Sequence, residues 1–163
     1  MARLRFQVFV LLLVCLTALG VRQGAAQPPN PLWERVAKIL GRKGELSADG
    51  VYKITFPRTD LRVTMHGARL PVGMGLASWA AFTRIPNGKA LVMGDTVMLG
   101  AEVNPVIDAL RAGGIEIVAL HNHMMGEQPP ILFLHYQGQG EAESLAQTIR
   151  RALDQLGKSR SSE

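Results

Sequence analysis

The sequence predicts an α+β fold in which an antiparallel sheet carries helices packed on one of its faces. Apolar residues recur with helical spacing in three segments, and other segments alternate apolar and polar side chains as strands do. Asn87 and Gly88 separate two apolar stretches in the manner of a hairpin turn. From about residue 90 onward the order is strand, helix, strand, strand, helix, so we expect the C-terminal half to resemble a split β-α-β-β-α unit.

The first elements are a helix and two strands. Asn30 is a typical N-cap residue and Gly41 a typical helix end, so the apolar spacing between them predicts a helix over 31–40. Residues 51–56 and 61–65 alternate between apolar and polar side chains, which predicts two strands joined by a turn.

The later elements follow from the same two periodicities. The stretches 76–85 and 90–99 flank the Asn87-Gly88 turn and are expected to pair as an antiparallel hairpin. Beyond them we predict a helix that ends at Gly113-Gly114, two strands split by a pair of prolines, and a final helix. These four elements are placed at 103–110, 115–123, 131–137 and 145–156.

The N-terminal segment has the order of charged, apolar and small residues that is typical of a secretory signal peptide. Arg3 and Arg5 precede an apolar stretch from Phe6 to Leu19, and small residues follow at 24–26. The apolar stretch has 14 residues, whereas a bilayer span needs roughly 20, so a retained anchor is the weaker alternative. We predict a signal peptide at 1–26, cleaved after Ala26.

Cleavage defines the expected organisation and location of the chain. One domain at 27–157 would be followed by a polar, disordered tail at 158–163. The protein would be exported, either periplasmic or extracellular, and would meet a membrane only through the signal peptide during export.

The charge balance argues against a nucleic-acid partner. The full chain has 18 basic and 13 acidic side chains, but Arg3, Arg5 and Arg22 belong to the predicted signal peptide. The remaining 15 basic and 13 acidic residues give a net charge of +2 and include no dense basic stripe. The sole cysteine, Cys15, also lies in that segment, so we expect no disulfide in the exported domain.

Three of the four histidines, His121, His123 and His135, fall within fifteen residues on two predicted strands. Because strand side chains alternate, His121 and His123 share a face, and a hairpin centred near residue 128 places His135 directly opposite His121. Imidazole is a common metal ligand, so the three side chains predict a metal site for a divalent ion or copper. The same face is expected to carry the apolar residues Ile117, Ala119, Ile131 and Phe133.

Two carboxylates are candidates for catalytic proton transfer beside that site. Glu127 lies in the connection between the histidine strands, and Asp95 interrupts an otherwise apolar strand. Asp95 either lines the same pocket or accepts backbone hydrogen bonds at a bulge. The alternative for the histidines is that they hydrogen-bond locally and hold the hairpin together. Trp79 and Phe82 are expected in the core.

Several short blocks carry a family resemblance. They are Pro57–Leu61, Ser78–Phe82, Gly94–Met98, Glu102–Val106, Ala119–Met124 and Leu134–Tyr136. In this order they make the chain similar to the LppY/LpqO-like family of exported bacterial proteins, from about Trp33 to Leu156. The resemblance implies export and marks the histidine region as characteristic, but that family has no known function. Many of its members contain two tandem copies of the domain, so the single copy here leaves a homodimer open.

Two classes of function fit these patterns. In an exported metal-dependent hydrolase, three imidazoles would leave a coordination position for water, and Glu127 or Asp95 would take its proton. In a non-enzymatic protein that binds or senses metal, the ion would be copper, because Met124 and Met125 follow His123 and thioethers favour Cu(I). A structural or interaction module is the third alternative.

Overall fold

The computed structural model describes residues 30–158, which form two antiparallel sheets and three α-helices. The predicted signal peptide at 1–26 and residues 159–163 of the predicted tail lie outside this range. The elements in chain order are α1 (Pro31–Leu40), β1 (Glu45–Leu46), β2 (Tyr52–Pro57), β3 (Thr64–Met65), β4 (Ala68–Arg69), β5 (Ala77–Arg84), β6 (Ala90–Met98), α2 (Val103–Ala112), β7 (Glu116–Asn122), β8 (Glu127–Gln128), β9 (Leu132–Gly140) and α3 (Ala142–Leu153).

The larger sheet has six strands in the order β1-β2-β5-β6-β9-β7, and each neighbouring pair is antiparallel. Since β9 lies between β6 and β7, those two strands run in the same direction, and α2 connects them. This is the split unit predicted from the sequence. The predicted α+β class is confirmed.

The first helix begins and ends at the positions that its capping residues indicate. The Asn30 side chain accepts a hydrogen bond from the Leu32 backbone N–H at 3.0 Å, and Gly41 ends α1 with a left-handed φ of 71°. The predicted helix over 31–40 is therefore confirmed. Within residues 30–158, α3 is the longest helix, with 12 residues, and no helix is long and apolar enough to span a bilayer.

The main core lies between the three helices and one face of the six-stranded sheet. Alternate residues of β5 point into it, so Phe82 is fully buried, as predicted. Full burial of such a side chain stabilises the fold by roughly 1.5–3 kcal/mol. The same alternation places Trp79 on the opposite face, half-buried, with Lys53 Nζ 4.4 Å above its ring centroid. The expectation that Trp79 is a core residue was wrong, because it has the other parity on the strand.

A second, smaller apolar cluster covers one end of that opposite face, which we call the open face. Its members are Leu61, Val63, Leu76, Val97 and Ile131. The predicted strand at 61–65 is a strand only at Thr64–Met65, where it pairs with β4 and β8. The apolar residues Leu61 and Val63 alternate with polar ones because they are buried in this cluster, and not because they belong to a long strand. The backbone turns just before them, where the Leu61 N–H donates to the Arg58 carbonyl. The rest of the open face lies beside this cluster.

A buried ion pair joins the end of β2 to the start of α2. Arg58 donates from both terminal nitrogens to the two carboxylate oxygens of Glu102, at 2.9 Å each, and it also pairs with Asp60. Glu102 accepts two further hydrogen bonds, from the backbone N–H groups of Leu99 at 2.8 Å and Gly157 at 2.6 Å. The Glu102 carboxylate therefore fixes three segments of the chain, those around Arg58, Leu99–Glu102 and Gly157, relative to one another.

Replacing Glu102 with alanine should lower the free energy of unfolding by about 3–5 kcal/mol, because it leaves the Arg58 guanidinium buried without its main counter-charge. Urea denaturation followed by circular dichroism measures this loss. Asp154→Ala, which breaks the exposed pair with Arg150, serves as the control and should cost less than about 1 kcal/mol. Equal losses in the two variants would contradict a structural role for the buried pair.

Candidate metal centre

The position of β9 in the sheet determines which side chains meet on the open face. Its residue His135 pairs with Asp95 of β6 on one side and with Ala119 of β7 on the other. Directly opposed residues of antiparallel strands point to the same face, so Asp95 and His135 are neighbours there. The ladder on both sides of β6 is regular at Asp95, which favours the pocket interpretation of this residue over the bulge.

The register of the histidine hairpin differs from the prediction. His121 pairs with Phe133, not with His135. The connection is centred on Glu127, whose Oε1 accepts the backbone N–H groups of Met124 at 3.3 Å and Ile131 at 3.1 Å. Because these local hydrogen bonds set the turn, the register moved by two residues. An even shift keeps each side chain on its face, and His121 therefore still reaches His135 diagonally.

A β-bulge in β7 changes the face of one predicted residue. The pairing shifts between Ile117 and Ala119, so Ile117 lies opposite Tyr136 and packs against the main core. The expectation that Ile117 shares the histidine face was wrong. The extra residue at the bulge is Val118, which is exposed.

His121 and His135 meet at their Nε2 atoms, which are 2.9 Å apart. Their rings are stacked with centroids 5.1 Å apart and an interplanar angle of 24°. The other nitrogens point to oxygens: His121 Nδ1 lies 3.0 Å from the Asn122 carbonyl, and His135 Nδ1 lies 3.9 Å from Asp95 Oδ1. The second distance is that of an ion pair rather than a hydrogen bond.

Asp95 is a buried carboxylate with unused hydrogen-bonding capacity. Its Oδ1 is buried and has no hydrogen-bond partner among residues 30–158. Burial raises the pKa of Asp95 above its usual value, although the imidazoles of His135 and His121 act in the opposite direction. A buried, unsatisfied carboxylate beside two imidazoles is an arrangement that favours a bound cation.

His123 makes a different set of contacts from the other two histidines. Its Nδ1 lies 2.9 Å from Glu127 Oε2, and its ring stacks on Phe133 with centroids 4.7 Å apart. Its Nε2 faces Gly75, where an added Cβ would approach it to 2.5 Å. Glu127 is buried and accepts two backbone hydrogen bonds besides this one. The His123–Glu127 pair thus closes the connection between β7 and β9.

A profile for the family described as Domain of Unknown Function (DUF1259) matches residues 34–155. The chain belongs to this family. The match includes every predicted site residue, from Asp95 to His135. No curated protein and no solved structure is significantly similar to the chain. The family description assigns no activity, so the chemistry of this DUF1259 domain must be argued from its own side chains.

The structure brings two of the three predicted ligands to one point. No group of three or more His, Cys, Asp or Glu residues in the described part of this DUF1259 domain is placed to hold a metal ion. The atoms available for an ion are Nε2 of His121 and Nε2 of His135. Two nitrogens bound to one ion at about 2.0–2.1 Å each lie roughly 3 Å apart when they are adjacent ligands, so this pair has a suitable separation.

Two glycines that the sequence patterns did not reveal as important allow close packing, Gly75 against the site and Gly94 against the main core. Gly75 has a φ of 95° and leaves the space that the His123 ring occupies. Gly94 precedes Asp95, and a Cβ there would lie 2.1 Å from the Tyr136 ring. Each contact joins residues far apart in the sequence, so the glycines themselves were the one feature of the sequence that could have indicated these close contacts.

Asp95→Asn tests whether burying the ionised Asp95 carboxylate lowers the free energy of unfolding. Because burial raises the folded-state pKa of Asp95, its protonation favours folding, and this contribution is lost as pH rises through the folded pKa. Asparagine does not titrate. The stability of the variant relative to the wild type should therefore increase as pH rises from below 3.8, the usual pKa of an aspartate, towards neutrality.

Urea denaturation at a series of pH values, in the presence of a chelator, measures this difference. Asp108→Asn on the exposed side of α2 controls for the removal of one negative charge. A difference between Asp95→Asn and the wild type that stays constant across the pH range would contradict the raised pKa.

Proposed function

We propose that this DUF1259 domain binds a transition-metal ion through Nε2 of His121 and Nε2 of His135. The observation that supports the proposal is that the two Nδ1 atoms face oxygens, at 3.0 Å for His121 and 3.9 Å for His135, while the two Nε2 atoms lie 2.9 Å apart. An imidazole that donates from Nδ1 has a lone pair on Nε2. Two lone pairs 2.9 Å apart repel each other unless a positive charge lies between them.

A neutral hydrogen bond between the rings explains the geometry less well. One ring would have to carry its proton on Nε2. For His121 this would break the contact with the Asn122 carbonyl, and for His135 it would leave an Nδ1 lone pair 3.9 Å from the Asp95 carboxylate, which is an unfavourable electrostatic arrangement. A bound metal ion satisfies both Nε2 lone pairs and keeps both Nδ1 protons directed at oxygens. A histidine that binds a metal through one ring nitrogen usually donates a hydrogen bond from the other ring nitrogen to a carboxylate or a carbonyl.

The remaining predicted residues take supporting roles in this proposal. Asp95 orients the His135 ring and places a negative charge near the ion. Glu127 holds the connection between the strands and orients His123. As a third ligand, His123 remains a prediction from the sequence, and this role requires its Nε2 to move away from Gly75.

Metal-assisted hydrolysis is the second candidate, and Asp95 is the residue that favours it. Two protein ligands leave coordination positions for water, and a metal-bound water loses its proton readily. The Oδ1 atom of Asp95 has no hydrogen-bond partner in the described chain and lies 3.9 Å from His135 Nδ1, so Asp95 is the candidate proton acceptor, acting through a bridging water. Glu127 is a weaker candidate for this step because His123 and two backbone N–H groups already occupy its oxygens.

We also propose that the domain acts outside the cytoplasm. The order of charged, apolar and small residues in 1–26 and the resemblance to the LppY/LpqO-like family both support export. An exported domain with a histidine pair would meet its metal ion in the periplasm or the extracellular medium.

His121→Ala and His135→Ala should each weaken Zn(II) and Cu(II) binding by about tenfold or more, because each removes one of the two nitrogen ligands. Competition with a chromophoric chelator measures the affinity. Trp79 pairs with Asp95 in the sheet, so its fluorescence gives a second signal.

The matched control is His66→Asn, which removes an exposed histidine outside the site. Asparagine suits the left-handed backbone of residue 66, whose φ is 49°. This variant should bind metal as the wild type does. Binding that is equally tight in His121→Ala and the wild type would refute the proposed ligands.

If the domain is a hydrolase, the zinc-loaded protein should cleave an activated ester such as p-nitrophenyl acetate, and His121→Ala should not. Asp95→Asn should keep its zinc and lose turnover by about 100-fold or more, the usual range for removing a general base. Absorbance of the released nitrophenolate and elemental analysis of the same samples give the two readings. If the zinc-loaded wild type hydrolyses the ester no faster than His121→Ala does, the hydrolase proposal is refuted and the metal-binding proposal stands.

A further inference from the structure

Methionine dominates the exposed apolar side chains of the described chain. Among residues 30–158, six large apolar side chains are exposed, and four of them are methionines. They are Met74, Met93, Met124 and Met125, with 55, 50, 44 and 92% exposure respectively, and we call them the methionine rim. Methionine is usually buried, so this concentration on the surface is not explained by packing.

Each residue of the methionine rim is close, in sequence or in strand register, to a histidine or to Asp95. Met74 precedes Gly75, the residue that faces Nε2 of His123. Met124 directly follows His123, and its backbone N–H donates to Glu127. Met74 and Met124 therefore adjoin in sequence the two residues, Gly75 and His123, that meet at Nε2 of His123.

A third methionine approaches from the sheet. Met93 is two residues before Asp95 on β6, and it pairs with Gln137, which is two residues after His135 on β9. Residues two apart on a strand point to the same face, so Met93 lies on the open face next to the Asp95–His135 pair. Met125 is the most exposed residue of the group and lies in the connection between the histidine strands.

We propose that the ion taken up by the histidine pair is Cu(I), and that the methionine rim supplies soft thioether ligands that capture it. This inference rests on the metal-binding function proposed above and specifies its ion. Thioethers are neutral, polarisable ligands that select Cu(I), whereas oxygen ligands suit Mg²⁺, Ca²⁺ and Mn²⁺. The two imidazoles then hold the ion beside the Asp95 carboxylate, whose charge offsets that of the cation.

A protein-docking surface is the rival explanation for exposed methionines. The two exposed apolar residues that are not methionine, Val118 and Leu120, both lie on the edge strand β7. The rim methionines are instead neighbours, in sequence or in strand register, of imidazoles and a buried carboxylate, which are groups that an apolar partner would have to desolvate at a cost. This placement favours a metal ion over an apolar partner.

The decisive comparison uses a variant with all four rim methionines changed to leucine, which keeps apolar volume and removes the sulfur atoms. Full-length protein is titrated with Cu(I) under anaerobic conditions against bicinchoninate, and separately with Zn(II) against a chromophoric chelator. The quadruple variant should bind Cu(I) about tenfold or more weakly and bind Zn(II) as the wild type does. Met98→Leu, at a fully buried position, controls for the substitution itself and should leave both affinities unchanged.

The two proposals fail in different ways in this experiment. If His121→Ala loses Zn(II) but the quadruple variant binds Cu(I) as tightly as the wild type, the methionine proposal is overturned and the histidine site stands. If the wild type binds neither ion more tightly than His121→Ala, both proposals are overturned.

A direct observation of the sulfur atoms makes the result independent of any change in folding. With ¹³C-methyl methionine, Ag(I) is added as a soft stand-in for Cu(I), and the methyl signals of the rim residues should shift while that of Met98 does not. Rim signals that stay in place on addition of one equivalent would overturn the proposal even if affinity fell in the leucine variant.

Discussion

The constraint on which the candidate site depends is the insertion of β9 between β6 and β7. An antiparallel strand with neighbours on both sides fixes two registers at once, and each register decides which side chains share a face. His135 therefore has Asp95 on one side and lies within reach of His121 on the other. The helices cover the opposite face with apolar side chains, so the histidines and Asp95 are accommodated on the open face.

Three buried carboxylates show how differently the same group is used in this domain. Glu102 is saturated by Arg58 and two backbone N–H groups, and Glu127 by His123 and two backbone N–H groups. Both hold segments of the chain together. Asp95 differs because its buried Oδ1 has no hydrogen-bond partner in the described chain and its pKa is raised by burial. Since native structures satisfy nearly all buried polar groups, the exception is the carboxylate to which a functional role is best assigned.

Local patterns predicted the elements well and their extent less well. The helix over 31–40 and the hairpin around Asn87-Gly88 follow from capping and turn residues that act within a few positions. The strand predicted at 61–65 is reduced to Thr64–Met65, because apolar alternation records which residues are buried and not which backbone groups pair. Trp79 and Phe82 lie an odd number of residues apart on the same strand, so they point to opposite faces of the sheet. Their aromatic character alone does not reveal which of them is in the core.

The sequence by itself determined the fold class, the split unit and the side-chain parity that puts the three histidines on one face, because these depend on local periodicity. The tertiary structure decided the rest. Hydrogen bonds to Glu127 set the hairpin register, a bulge at Val118 moved Ile117 into the core, and Gly75 approached His123 from a distant segment. These contacts join residues far apart along the chain or depend on one turn geometry among several, and no periodic pattern encodes them. The pairing of His121 with His135 at their Nε2 atoms is therefore a property of the folded sheet.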